Sequence, residues 1–215
     1  MKTKKIVFFG LLTLVFSGCV VFSFYPLYTS KDLFPNDLLT GEWEETKDTN
    51  VKFNDEKSSW KFQHPKKKDG GIDSCCYILT YTTKEDSVQY VSEFEIHIIK
   101  LKGVYFLDFY LKNYPEEENI GLSSFHLIPV HTFAQLLITD KQLKIKWFDP
   151  DWLEKLIKEN KIRIRHEQDN DIILLTAKPQ ELQKFVSKYV NSEDAFKEGL
   201  QVVLKKKDKN EKTKD

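Results

Sequence analysis

From Val88 to Ile99 polar and apolar residues alternate: Val88, Tyr90, Phe94, Ile96 and Ile98 fall on one side, Gln89, Glu93, Glu95 and His97 on the other. A period of two marks a half-buried strand, and the second set is expected to face solvent. The same reading predicts strands opening at Gly41-Glu42-Trp43 and running over Val51 to Phe53, Trp60 to Phe62, Cys75 to Thr82, Ser124 to Thr139, Leu143 to Phe148 and Leu200 to Leu204. Turns are expected around Lys84-Glu85-Asp86, Lys102-Gly103 and Asp140-Lys141. Val104 to Leu111 is apolar on both faces apart from Asp108, which predicts a strand covered on both sides.

Two segments change period. Asp149-Pro150 supplies an N-cap and a first-turn proline, and Trp152, Leu153, Leu156 and Ile157 form a helical stripe ending at Asn160. Pro179 opens a second helix carrying Leu182, Phe185, Val186, Tyr189 and Val190. Between them Ile162 to His166 and Ile172 to Ala177 read as a hairpin around Asp169-Asn170-Asp171. The sum is an α+β domain: a mainly antiparallel sheet of short strands that could close like a barrel, with two helices packed against it.

The first residues follow neither pattern. Lys2, Lys4 and Lys5 precede an unbroken apolar run from Ile6 to Phe16, and Ser17 and Gly18 place two small residues before Cys19. The run has the length of a secretory h-region and is short of a membrane span. This arrangement resembles the lipobox of bacterial lipoproteins. The resemblance implies cleavage before Cys19, a diacylglyceryl group on its thiol and palmitate-type acylation of the new amine. Phe16 departs from the pattern, where Leu or Val is usual. Each buried methylene of such an anchor contributes about 0.8 kcal/mol, so two or more chains hold stably. Val20 after the cysteine, rather than Asp, leans by the same resemblance towards the outer membrane where an organism has two. The competing reading is an uncleaved anchor over Ile6 to Tyr25, ended by Pro26 with the lysines cytoplasmic. Either way the domain lies outside the cytoplasm.

The chain thus divides into a signal peptide over 1–18, a lipid-anchored segment over 19–39, a β-rich domain over 40–204 and a charged tail over 205–215 that is expected to be disordered. Phe22, Phe24, Tyr25, Leu27 and Tyr28 are unusual in a tether and are expected to pack on the domain or lie among headgroups. Aromatic residues at 13% favour strands. The formal charge is +0; without the three leader lysines, 30 basic residues stand against 33 acidic ones. That balance gives no reason to expect nucleic-acid binding, which needs a basic stripe.

Chemistry-bearing residues are few. His126 and His131 flank Pro129 and could share a metal with Asp108 or Asp149, although on a regular strand residues five apart face opposite sides and only a kink at Pro129 would reconcile them. Asp108 serves either as a buried acid or base or as an acceptor for a neighbouring loop. Capping accounts for Asp149 and the helix dipole for Asp151. His97 beside Glu93 and Glu95 reads as a solvated strand face. Cys75 and Cys76 are too close for a relaxed disulfide; they could be redox-active or bind metal, but read more simply as small residues at a strand start. Lys66–Lys68 and Lys205–Lys207 could touch anionic headgroups, or be a loop and a tail. No phosphate loop, nucleotide fingerprint, nucleophile elbow or zincin helix is present.

Gly41-Glu42-Trp43 is similar to the Gly-x-Trp start of lipocalins and avidins, whose barrels hold apolar ligands. Phe24-Tyr-Pro-Leu-Tyr-Thr, Tyr105-Phe-Leu-Asp-Phe, His126-Leu-Ile-Pro-Val-His-Thr-Phe, Asp149-Pro-Asp-Trp-Leu and Glu181-Leu-Gln-Lys-Phe resemble a family of uncharacterised bacterial lipoproteins. That resemblance implies an envelope address and supplies no mechanism. The expectation is a lipid-anchored, non-catalytic envelope protein without a cofactor, binding a protein partner or a small apolar ligand. The alternative is a hydrolase or metal-dependent enzyme using His126, His131 and Asp108.

Overall fold

The computed structural model describes residues 20–49, 58–85, 88–113, 128–139, 141–169 and 172–207. The leader with Cys19, the strand expected over Val51 to Phe53, His126 and the tail beyond 207 lie outside the described residues. Among the described residues eleven strands occur in chain order: β1 (Phe22–Ser23), β2 (Gly41–Glu45), β3 (Ser59–Gln63), β4 (Tyr77–Glu85), β5 (Val88–Leu101), β6 (Val104–Asn113), β7 (His131–Ile138), β8 (Gln142–Trp147), β9 (His166–Asp169), β10 (Ile172–Leu175) and β11 (Gln201–Lys206). Two helices join them, α1 (Pro150–Lys158) and α2 (Pro179–Tyr189).

Eight strands close into an antiparallel barrel in the order β2, β3, β4, β5, β6, β7, β8 and β11, with β11 returning to β2. Closure leaves no unpaired barrel edge. Around the barrel alternate residues point inward, such as Phe94, Ile96 and Ile98 of β5, but Val88 and Tyr90 at the start of that strand are exposed and the β5–β6 register shifts at Glu93 and Phe94. A barrel of this size is just wide enough for side chains to fill. Trp43, Trp60, Phe62, Tyr77, Ile98, Leu107 and Trp147 are among those that pack the interior. The Gly-x-Trp start therefore opens a barrel, but its lumen is a core and not the apolar ligand site that the lipocalin likeness implies. Trp43 Nε1 donates to Leu39 O at 2.8 Å, tying the chain before β2 to the barrel.

A second core lies outside the barrel. Ile99, Phe106 and Phe133, on the outer faces of β5, β6 and β7, pack with Leu27, Phe148, Leu182 and Phe185. The helices supply much of the cover. Asp149 caps α1, its Oδ1 accepting from the backbone of Asp151 and Trp152 at 2.9 and 3.2 Å, with Pro150 in the first turn. Glu181 in the first turn of α2 accepts from the backbone of Lys178 at 3.3 Å. Gly199 passes so close to the Trp147 carbonyl that a Cβ there would lie 2.3 Å from its oxygen.

The N-terminal segment supplies the rest of the cover. Val21 and Leu27 are buried in the second core, and β1 pairs antiparallel with β7 and parallel with β10. Of the predicted hairpin, β9 and β10 pair and the Thr176 N–H donates to Arg165 O at 2.9 Å, but residues 162–165 form no strand. Their alternation survives without a ladder, because Ile162 and Ile164 turn into the second core. Lys206 and Lys207 belong to the folded domain: Lys206 Nζ lies over the Trp43 ring at 5.2 Å, and Lys207 pairs with Glu44 at 3.4 Å. Among the described residues no helix is long and apolar enough to cross a membrane.

Candidate metal centre

Two hairpins bring the site together. Lys102 and Gly103 both take positive φ, 47° and 86°, the conformation a two-residue hairpin turn requires. The turn sets β5 against β6 with His97 opposite Asp108 and Glu95 opposite Tyr110. Across the next ladder Tyr110 stands opposite His131. Residues directly opposite share a face, so these five side chains lie together on the outer surface of the barrel. On the other side β4 pairs with β5 up to Tyr77 opposite Ile96, which brings the preceding Cys76 beside His97.

Cys76, Glu95 and His97 place one ligand atom each within 4.8 Å of one another. His97 Nδ1 stands 3.8 Å from Glu95 Oε1. Zinc-to-ligand bonds of about 2.0–2.3 Å imply tetrahedral ligand separations of about 3.3–3.8 Å, so small side-chain rotations would seat an ion. The donors fit such an ion chemically: a thiolate, an imidazole and a carboxylate are the zinc ligand types, and three leave one position open. Cys75 and Cys76 are free thiols, the first half-buried and the second buried.

Tyr28 lies across the cluster, its ring centroid 4.2 Å from that of His97. Beside it, fully buried Asp108 accepts from Leu27 N at 2.7 Å through Oδ2, and Oδ1 lies 2.7 Å from His131 Nδ1. With Asp108 as acceptor the ring proton of His131 belongs on Nδ1, leaving Nε2 free to act. His131 also lines a cavity of about 440 Å³ together with Glu95, Tyr28, Tyr110, Phe24, Pro26, Ile128 and Pro129.

The electrostatics follow from burial among acids. Burial lowers the pKa of His97 and outweighs the opposing pull of Glu95 and Asp108, which keeps the imidazole neutral and able to ligate. The Cys76 thiol is pushed up to about 12 by burial, then by the charges of Glu95 and Asp73. The Tyr28 hydroxyl is raised well above the ordinary tyrosine range by burial, then by Asp108, Glu95 and Cys76, so it remains a donor. A divalent cation inverts this logic for the thiol, because coordination deprotonates it.

Several sequence expectations change here. His97 is not on a solvated face: it is 7% exposed, because the N-terminal segment covers it. Cys76 is more than a small residue at a strand start, since the hairpin register aims it at His97. Asp108 and His131 do come together, while Asp149 is spent on the cap of α1 and His126 lies outside the described residues. The expected non-catalytic binding module is overturned by the convergence of Cys76, Glu95 and His97, a buried ligand set beside a cavity. The predicted turn does not give this register: strands placed symmetrically about Lys84-Glu85-Asp86 set Cys76 opposite Phe94, whereas Glu85 pairs with Val88, and carrying that register back past Tyr77 and Ile96 sets Cys76 level with His97.

Compared with family models, with curated proteins and with solved structures, the chain matches none, so the reading of the site rests on its own geometry.

Proposed function

We propose that this protein is a metal-dependent enzyme of the hydrolytic kind, with its ion held by Cys76, Glu95 and His97. The observation that carries this reading is the convergence of the three ligand atoms within 4.8 Å, with Glu95 also reaching the cavity wall. A zinc-type ion there would supply Lewis acidity at an open position. The chain's own groups do the remainder. Asp108 orients His131, whose Nε2 takes or returns a proton at the cavity. Tyr28 donates a hydrogen bond, and Phe24, Tyr110 and Pro129 exclude water around a small substrate.

Titrating the EDTA-treated full chain with Co²⁺ tests the centre, because a thiolate ligand gives a charge-transfer band in the near ultraviolet. One equivalent is expected to bind with that band. Cys76→Ser abolishes the band, whereas Cys75→Ser leaves it intact. Glu95→Gln and His97→Ala weaken zinc binding by about a hundredfold or more, since even groups one step behind a ligand cost about ten- to a hundredfold. Wild-type protein that takes up no ion, or Cys76→Ser protein that binds like wild type, would sink the reading.

We further propose that the domain is held at a cell-envelope membrane by lipid on Cys19, in the outer membrane where two membranes exist. The charged start, the apolar run and Ser17-Gly18-Cys19 support this address, as does the resemblance to the lipoprotein family. Intact mass of the membrane-extracted protein reports cleavage and acylation together; a Cys19→Ser variant with unchanged mass processing and partitioning rules the anchor out.

A further inference from the structure

Every positive side chain among the lysines and arginines of this sequence is lysine except two, Arg163 and Arg165. Both line one groove of about 330 Å³ between residues 161–165 and α2. The alternation that turns Ile162 and Ile164 into the second core turns Lys161, Arg163 and Arg165 outward. From α2, Lys184 and Lys188 reach the same groove, four residues apart on one helix face, over Phe185 and Tyr189.

Five cations therefore surround one lining carboxylate, and that carboxylate is committed. Glu181 Oε2 takes Arg165 at 2.6 and 3.0 Å, and it also accepts from the backbone of Lys178. Lys161 pairs with Glu159 at 2.7 Å. Arg163, Lys184 and Lys188 make no ion pair among the described residues. Solvation of a surface does not call for arginine, and this chain meets that need with lysine everywhere else. What distinguishes arginine is a planar fork that matches an oxyanion with two parallel hydrogen bonds.

We propose that this groove is a binding site for a phosphate-type oxyanion. Arg163 supplies the two-pronged contact, Lys184 and Lys188 supply neutralising charge, and the Arg165–Glu181 pair lines one wall. The rings of Phe185 and Tyr189 give an apolar floor for the organic part of a phosphate ester. A phospholipid headgroup and a soluble phosphate share this chemistry, and the experiment separates them.

The full chain is titrated calorimetrically with inorganic phosphate, with water-soluble dihexanoyl phosphatidylglycerol and with dihexanoyl phosphatidylcholine as the zwitterionic control. Saturable binding of at least one anionic probe is expected, and whichever binds more tightly identifies the source. Arg163→Ala is expected to weaken that binding by about tenfold or more, as loss of a charged hydrogen bond does. Arg163→Lys keeps the charge, loses the fork and falls several-fold short of wild type. Lys47→Ala, exposed and outside the groove, binds as wild type. Arg163 is exposed, so folding is expected to be intact, and an unchanged circular dichroism melt confirms it for each variant. Failure of wild type to bind either anionic probe, or equal affinity in Arg163→Ala, overturns the site. Equal affinity in Arg163→Lys overturns the two-pronged contact.

Discussion

The inner and outer faces of β5 and β6 are written in one alternating pattern and reach opposite ends. Inward, Ile96, Ile98, Leu107 and Phe109 meet other apolar side chains and need nothing more than contact. Outward, Glu95, His97, Asp108 and Tyr110 are polar, yet His97 and Asp108 are buried. Any well-shaped hydrocarbon surface can bury an apolar face, whereas a polar face can be buried only by groups that return its hydrogen bonds. The backbone of Leu27 and the ring of His131 do this for Asp108. The difference separates a face that serves stability from a face that serves chemistry.

Three perturbations sharpen the contrast. Phe62→Ala in the lumen should have the largest effect, costing about 3–5 kcal/mol through lost contact and a cavity. Urea unfolding measures it, and Co²⁺ uptake by the folded fraction should be unchanged. A cost under 1 kcal/mol would mean that the lumen is not a packed core. Asp108→Ala on the outer face should cost about 3 kcal/mol, because it strands a buried donor and frees His131. Its signature is local: amide exchange at Leu27 should accelerate, while amides lining the lumen change only with the global stability. Asp108→Asn, which retains an acceptor for Leu27, should recover part of the loss.

The smallest effect should separate the two faces by pH. In metal-free protein His97 has a lowered pKa, so the unfolded chain protonates first. Its contribution to stability is complete above about 6.5 and is lost as pH falls from there towards the folded-state value. Glu95, Asp108, Asp73, Cys76 and His131 all act on this ring or its neighbours. Tyr77, on the lumen side, is pushed up to about 12 by burial, so its contribution is complete below about 10 and is lost as pH rises towards 12. His97→Gln should flatten the acid limb alone and Tyr77→Phe the alkaline limb alone. Urea midpoints across pH would show both, and a variant that flattens the opposite limb would refute the assignment.

Much of the architecture was legible from residues near one another in sequence. Asp149-Pro150 and Pro179 announce the two helices, and the Lys102-Gly103 turn dictates that His97 faces Asp108. The run at 162–165 misled, because its alternation looks like a strand whether or not a neighbour completes the ladder. The site misled for a related reason. His97 and Glu95 look solvated until something covers them, and alternation carries no information about a cover.

Side-chain period and turn chemistry within a few residues fix most of the barrel strands, the helix starts and the β5–β6 register. The only two arginines stand two positions apart, with Ile164 between them. Tertiary structure alone decided that the barrel closes between β6 and β7, and that the N-terminal segment lies across its outer face. The bond from Leu27 to Asp108 spans 81 positions. A contact that distant follows from how whole surfaces fit, and it turns an ordinary amphipathic strand into the wall of a reactive site.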